Sequence, residues 1–324
     1  MPIAFVDADM LRTAVRFEDL IEPVSVAFQR YSQRQASSEL IMMWPAADPD
    51  AGDVYVKTGT IVGHSSFVVK LSPWFAVNAE QKRPQGGFIA LCDAETGHTR
   101  AIIDDQHVLS DLRTAAAGAL VARHLAPADT DSALVVGTGT QAFLQPQALH
   151  RERPFRRLSI WGRDVTRAES LAGRLQRTLA DVAVSVTDDL PQAARKADVI
   201  LCATAAKTPL LQGKWLHPGQ HVTSIGSDDP TKCELDAECL LRADGVFVDS
   251  VDAARANGNV HRHLRDGAIS ADRVTCELGS VLAGILPGRT SRTELTVATL
   301  IGLGVQDLAA AHASLHLLRL GQPP

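Results

Sequence analysis

The run ALVVGTGTQA, Ala133 to Ala142, joins four apolar residues to glycines spaced as G-x-G-x-x-G/A. Ala133–Val136 suit a strand covered on both faces, as in a parallel sheet. Gly137 permits the tight turn that follows, Gly139 lets a backbone approach a pyrophosphate, and Ala142 allows close helix-to-strand packing. Thr140 and Gln141 open a helix whose N-terminal N–H groups and positive dipole end favour phosphate. A strand before and a helix after supply the context that gives so short a motif its meaning. Pro146, well inside that helix, should kink it.

Working outward, a helix over about 140–150 is followed by strand RLSIWG (157–162), helix TRAESLAGRLQRTL (166–179), strand VAVSV (182–186) and a short helix near PQAARKA (191–197). Strands DVILCAT (198–204), HVTSIG (221–226) and GVFVDS (245–250) complete the series. Such alternation means right-handed crossovers and a parallel sheet. The run ELTVATLIGLGVQDLAAAHASLHLL (294–318) reads as helical throughout. Ahead of the motif come a helix over about 18–35 and strand-like DVYVKTG (53–59), FVVKLSPWF (67–75), GFIALCDAETG (87–97) and TRAIID (99–104). Glu95-Thr96-Gly97 marks a hairpin turn. The helix SDLRTAAAGALVARHLA (110–126) has Ser110 as its candidate N-cap. The expectation is an α/β chain. A Rossmann-type doubly wound parallel sheet occupies residues 129–304, and a smaller α+β domain occupies 1–128, with 305–324 packing back on it. Gln322–Pro324 reads as a frayed end.

A length of 324 residues accommodates two cores. With a net charge of −5 and no basic run interleaved with aromatics, nucleic acid is not an expected partner. The acidic N-terminus lacks signal-peptide character, and no apolar run approaches membrane-spanning length, so a cytoplasmic protein with no membrane partner is expected. Five scattered cysteines without a Cys-x-x-Cys pair suggest neither a disulfide framework nor a zinc site. Cys202, in VILCAT, reads as core packing.

Several polar residues invite a functional reading. After strand RLSIWG, Arg163 favours a 2′-phosphate and hence NADP over NAD, while the adjacent Asp164 keeps a ribose 2′-OH contact open; Arg163 is alternatively an ordinary solvated charge. Thr204 ends a strand at the carboxyl edge, where such sheets bind ligands, and Ile225 at the end of HVTSIG and Ser227 just after it join Thr204 as candidate cofactor contacts. Asp228 follows in that loop. A partly desolvated carboxylate there could serve as a general acid or base with a raised pKa, the alternative being an Asp/Pro turn. Only seven lysines occur against 25 arginines, and two of them, Lys57 and Lys70, lie in neighbouring strand segments. Strand alternation puts Val68 and Lys70 on one face and Phe67, Val69 and Leu71 on the other, so Lys70 points either into a polar pocket or out to solvent. Arg113 opens RTAAAGAL; its donors suit a carboxylate, although its charge opposes the helix dipole there. A salt bridge to Asp104, Asp105 or Asp111 is the other reading.

Taken together, GDVYVKTG, FVVKLSPWF, GGFIALCDAETG, LSDLRTAAAGALVARHLA, VVGTGTQA, SIGSDDPTKCELD and ELGSVLAGILPGR resemble the ornithine cyclodeaminase/μ-crystallin family along nearly the whole chain. The resemblance implies a Rossmann domain beside a smaller domain that builds a barrel-like homodimer interface. It also implies a bound nicotinamide cofactor and α-amino or α-imino acid substrates. Lys70 and Arg113 would then hold the substrate carboxylate, with Arg113 also close to the cofactor, and Asp228 would exchange protons with the substrate nitrogen. Two stretches depart from the family pattern. Ring-closing members often carry an arginine ahead of GDVYVKTG, where this chain has LIMMWPAAD, and the usual Gly-Leu-Pro-like turn after FVVKLSPWF is replaced by NAEQKRPQGG. The expected activity is NAD(P)H-dependent reduction of an α-imino acid. A cyclodeaminase and a non-catalytic ligand-binding protein are the alternatives, and Arg83 and His64 are candidates for a second substrate carboxylate.

Overall fold

The computed structural model describes residues 2–46, 48, 51–81 and 83–320; the end expected to fray, Gln322–Pro324, lies outside them. The chain forms two compact units, Met1–Ala117 with Leu303–Pro324, and Gly118–Gly302.

Among the described residues, the first unit contains strands β1 (Ala4–Asp7), β2 (Ala36–Met43), β3 (Gly52–Ile61), β4 (Ser66–Phe75), β5 (Phe88–Asp93) and β6 (Thr99–Asp104), in the order β1-β6-β5-β4-β3-β2. β2 to β6 pair antiparallel, and β1 adds a parallel edge against β6. The period-two pattern of β4 holds: Val68 and Lys70 are buried, while Phe67, Val69 and Leu71 are half-buried on the opposite face. The helices Phe17–Ser32 and Gly304–Leu317 pack together in this unit, the latter against β3 and β4. Its first turn crosses β3 so closely that a Cβ on Gly59 would lie 2.4 Å from the Gly304 carbonyl carbon. Only two glycines permit that approach, and it lowers the next turn of the helix onto the sheet.

In the second unit, β7 (Ser132–Val136), β8 (Arg157–Trp161), β9 (Ala183–Val186), β10 (Val199–Cys202), β11 (His221–Ser224), β12 (Gly245–Val248), β13 (Cys276–Glu277) and β14 (Thr296–Thr299) form a parallel sheet ordered β13-β12-β14-β11-β10-β7-β8-β9. Leu134, Val136, Ile200, Cys202 and Val222 pack into the core on one side, and Ala133, Val135, Leu158, Ile160 and Leu201 into the core on the other. Burial on both faces is what the apolar strands specified.

Two local expectations are corrected. Residues 294–318 are not one helix, because Thr296–Thr299 is the buried strand β14, paired on both sides with β11 and β12, and the helix begins at Gly304. Its two threonines and valine favour that extended, enclosed setting. Ser110 is not an N-cap. The helix spans Val108–Leu125, and the Asp105 carboxylate accepts hydrogen bonds from both Ser110 N and Oγ. Gln106 and His107 enter this helix with φ of 45° and 67°, left-handed backbone uncommon for residues other than glycine. The helix Thr140–Glu152 runs through Pro146 without ending there.

Candidate active site

β3 and β4 pair in the register that sets Lys57 directly opposite Lys70. Both are buried, at 5% and 2% exposure. Like charges facing each other across a ladder repel, and burial removes the water that would screen them. The compensation comes from the helix Gly304–Leu317. Asp307, fully buried, accepts a hydrogen bond from Lys70 Nζ at 2.9 Å through Oδ1, and the same oxygen accepts Arg113 Nε at 3.0 Å. Gln306 Oε1 accepts Arg113 Nη1 at 3.3 Å. Burial alone would push the Asp307 carboxyl up, but Arg113, Lys70 and Lys57 outweigh it and hold the group down at about 2. Three cations therefore act on one carboxylate that stays ionised down to about pH 2, and its Oδ2 is buried without a hydrogen-bond partner among the described residues.

Neither sequence reading of Lys70 named this partner, and the solvent-facing alternative is excluded by its burial. Arg113 lies in the second turn of its helix, past the region where the dipole opposes it, and bonds Asp307 rather than Asp104, Asp105 or Asp111. A lone aspartate in the alanine-rich run VQDLAAA is the same kind of signal as a lysine in FVVKL, and would have flagged Asp307. His107, part-buried, contacts Ser72 Oγ through Nε2 at 3.2 Å. Burial and the nearby Lys70 lower its pKa, so it is neutral near pH 7. Arg83 is exposed, and His64 contacts the Ser66 backbone and the His312 ring edge.

In the second unit the glycine loop fits a pyrophosphate. Gly137 has φ 134°, and a Cβ there would strike the Ala203 carbonyl oxygen at 2.4 Å, so the fold itself requires glycine. Gly139, N-cap of the helix Thr140–Glu152, is different: a Cβ there would meet nothing within 4 Å. Its bareness serves no packing need within the chain and leaves the approach to Thr140 and Gln141 open, while Ala142 is wholly buried against β7 and β8. Arg163 is exposed just beyond β8; Asp164 is the N-cap of the helix Val165–Thr178, accepting from Arg167 N.

The loops after β10 and β11 are tied to one buried carboxylate that the sequence reading missed. Glu234 Oε1 accepts Thr204 N and Oγ1 at 2.5 and 2.9 Å, and Oε2 accepts Ser224 Oγ and Gly226 N at 2.6 and 2.9 Å. Burial raises its pKa, against the lowering effect of these donors. The polar groups of Thr204 thus face Glu234, and Ile225 N bonds the Cys202 carbonyl. Ser227 Oγ is buried without a partner among the described residues. Asp229, not Asp228, makes the Asp/Pro turn: its Oδ1 accepts Thr231 N, Thr231 Oγ1 and Lys232 N. Asp228 remains part-exposed and pairs with Lys232 Nζ at 2.7 Å. No cluster of His, Cys, Asp and Glu suited to a metal occurs among the described residues, and no helix there is long and apolar enough to cross a membrane.

Residues 5–315 match the ornithine cyclodeaminase/mu-crystallin family. The uncharacterized cyclodeaminase y4tK of Sinorhizobium fredii is 42% identical over 265 residues, covering 81% of this chain and 80% of that one. Among solved structures, an archaeal alanine dehydrogenase dimer with bound NAD superposes with a TM-score of 0.90 at 25% identity, over 98% and 97% of the two chains. The iminosuccinate reductase of Paracoccus denitrificans in complex with NAD+ gives 0.88 at 25% identity, over 98% and 96%. Two features of unlike chemistry, a buried cation cluster and a glycine loop opening a helix, are therefore carried by a fold shared with nicotinamide enzymes.

Proposed function

The chain belongs to the ornithine cyclodeaminase/mu-crystallin family, and from that premise we propose that it is an NAD(P)H-dependent reductase of α-imino acids, reversible as an amino-acid dehydrogenase. The observation that carries this reading is a pair of buried cations, Lys70 and Arg113, that share one oxygen of the buried Asp307. A site so built takes an anion, and an α-carboxylate is the anion common to imino and amino acids. Lys70 and Arg113 hold it and so fix where the imine carbon lies, which is most of what catalysis of this kind asks of the protein. Reduced nicotinamide, when bound, supplies the hydride. Asp228 passes the accompanying proton to the substrate nitrogen, so that C=N gains one hydride and one proton, and Lys232 beside it keeps the carboxylate oriented.

Gly137, Gly139, Thr140, Gln141 and Ala142 would hold the pyrophosphate, with Thr204, Ile225 and Ser227 completing the cofactor contacts. Arg163 would meet a 2′-phosphate, which favours NADP over NAD. A homodimer is proposed through the outer face of the six-stranded sheet, where Phe5, Ile41 and Phe88 are exposed at 69%, 58% and 38%. We take the protein to work in the cytoplasm on a small-molecule substrate, without nucleic acid or membrane.

The name of the 42% identical relative favours a second reading, a cyclodeaminase that releases ammonia with no net redox change. One experiment separates them. The protein is incubated with Δ1-pyrroline-2-carboxylate, with iminosuccinate, with pyruvate plus ammonia, and with ornithine, each with NADH or NADPH, while reduced cofactor and ammonia are followed. Net consumption of reduced cofactor is expected. Ammonia release from ornithine without it would install the cyclodeaminase instead, and no reaction with any member would leave a ligand-binding protein.

A further inference from the structure

The two groups proposed to anchor the substrate carboxylate are themselves gripped by a carboxylate of the same chain. We propose that Asp307, with Gln306 beside it, is a positioning residue that aims Arg113 and Lys70 at the substrate; this rests on the reading of those two as anchors. Asp307 takes Arg113 Nε, and Gln306 takes Nη1, while Gln306 Oε1 is itself fixed by Leu303 N at 2.7 Å. The guanidinium is thus held at two points and its plane is set. Nη2 makes no hydrogen bond among the described residues, and Lys70 gives Asp307 only one of its three ammonium hydrogens. The unspent donors are those of two long side chains whose rotamers are already fixed, which removes their ordering cost from ligand binding.

The charge count separates positioning from simple neutralisation. Asp307 carries one negative charge, shared by Lys70 and Arg113 through a single oxygen, so it orients the two cations without neutralising both and leaves positive charge for an incoming anion. The Gly59–Gly304 crossing gives the helix the depth at which Asp307 reaches both cations. Arg113, Lys70 and Asp307 come from three elements that meet only in the folded unit.

The test uses full-length Asp307→Asn and Asp307→Ala, the better nicotinamide cofactor, and the imino acid of the panel above that the wild type reduces fastest. Asp307→Asn should raise KM for the imino acid at least about tenfold, the size of one lost charge-assisted bond, with the cofactor Kd within about twofold of wild type. In Asp307→Ala, added formate should lower KM again, because a small carboxylate can enter the space the side chain leaves. A KM unmoved in Asp307→Asn, or moved together with cofactor Kd, overturns the proposal, as does a folded Asp307→Ala blind to formate; if that variant fails to fold, Asp307→Asn decides. Should the wild type reduce nothing in the panel, the functional reading itself falls. Positioning is then judged by thermal unfolding of Asp307→Asn, Lys70→Met and the double variant, where additive midpoint changes overturn it and non-additive ones support it.

Discussion

The cluster around Asp307 in the first unit and the buried carboxylates Glu234 and Asp249 in the second are built in opposite ways. In the six-stranded sheet, charge meets charge: Lys70 and Arg113 close on Asp307, with Lys57 in register opposite Lys70. In the parallel-sheet unit, Glu234 and Asp249 are met by neutral donors of the surrounding loops, while Asp229 also pairs with Lys232 at 3.0 Å. Glu234 gathers Thr204, Ser224 and Gly226, and Asp249 takes the backbone N–H groups of Ile301 and Gly302 at 2.9 and 2.6 Å. His221 follows the same rule, with a threonine hydroxyl at 2.8 Å on each ring nitrogen. The difference teaches which polar burial is scaffold and which is site. A carboxylate ringed by backbone amides is complete as it stands, whereas Lys70 and Arg113 share one oxygen of Asp307 and keep donors to spare, and Asp307 Oδ2 still lacks a donor among the described residues.

Acid separates the two regions most strongly. Burial, reinforced by Arg289, lowers the His221 pKa from 6.5 to about 3. Below pH 6.5 the unfolded chain takes up a proton that the folded one refuses until about pH 3, so stability falls with pH across that window, by on the order of 4 kcal/mol. Asp307 is displaced from 3.8 to about 2, so its contribution is whole above 3.8 and is lost only as pH falls from there toward 2, on the order of 2 kcal/mol. Urea midpoints against pH should therefore lose slope between pH 6.5 and 3 in His221→Gln and below pH 4 in Asp307→Asn. The same window affected in both variants would erase the distinction.

Next in size, Lys70→Met should fold and bind cofactor yet lose roughly a hundredfold in kcat/KM, the worth of one hydrogen bond to a charged group. An unchanged kcat/KM would reclassify the cluster as scaffold. Glu234→Gln sets an amide NH₂ against one of its two pairs of donors, and should cost about 1–3 kcal/mol in denaturant unfolding. A cost near zero would mean the loops do not depend on it.

The smallest effect on the fold is the most diagnostic for the cofactor. Gly139→Ala should leave stability within about 0.5 kcal/mol, since the added methyl meets nothing, while weakening NAD(P) binding. Gly137→Ala should destabilise the fold, because of its φ and the Ala203 carbonyl. In the same titrations Arg163→Ala should weaken NADP more than NAD; equal effects would remove the basis for preferring NADP.

The strands and helices around ALVVGTGTQA were legible because a buried parallel strand and the amphipathic helix after it each leave a local pattern. β14 was not. Thr296–Thr299 adjoins an apolar, alanine-rich run, and it is extended only because β11 and β12 enclose it. Lys70 and Arg113 were visible as misfits, charged residues where their neighbours predict burial. Their partner was out of reach, 237 and 194 residues away along the chain. By itself the amino-acid sequence determined the fold class, the glycine cradle and the oddity of those two cations, since each is written in residues a few positions apart. Tertiary structure alone decided that Lys57 faces Lys70, that Asp307 joins them, and that Glu234 ties two loops. Pairing register and helix depth are properties of the packed chain, and no local pattern encodes them.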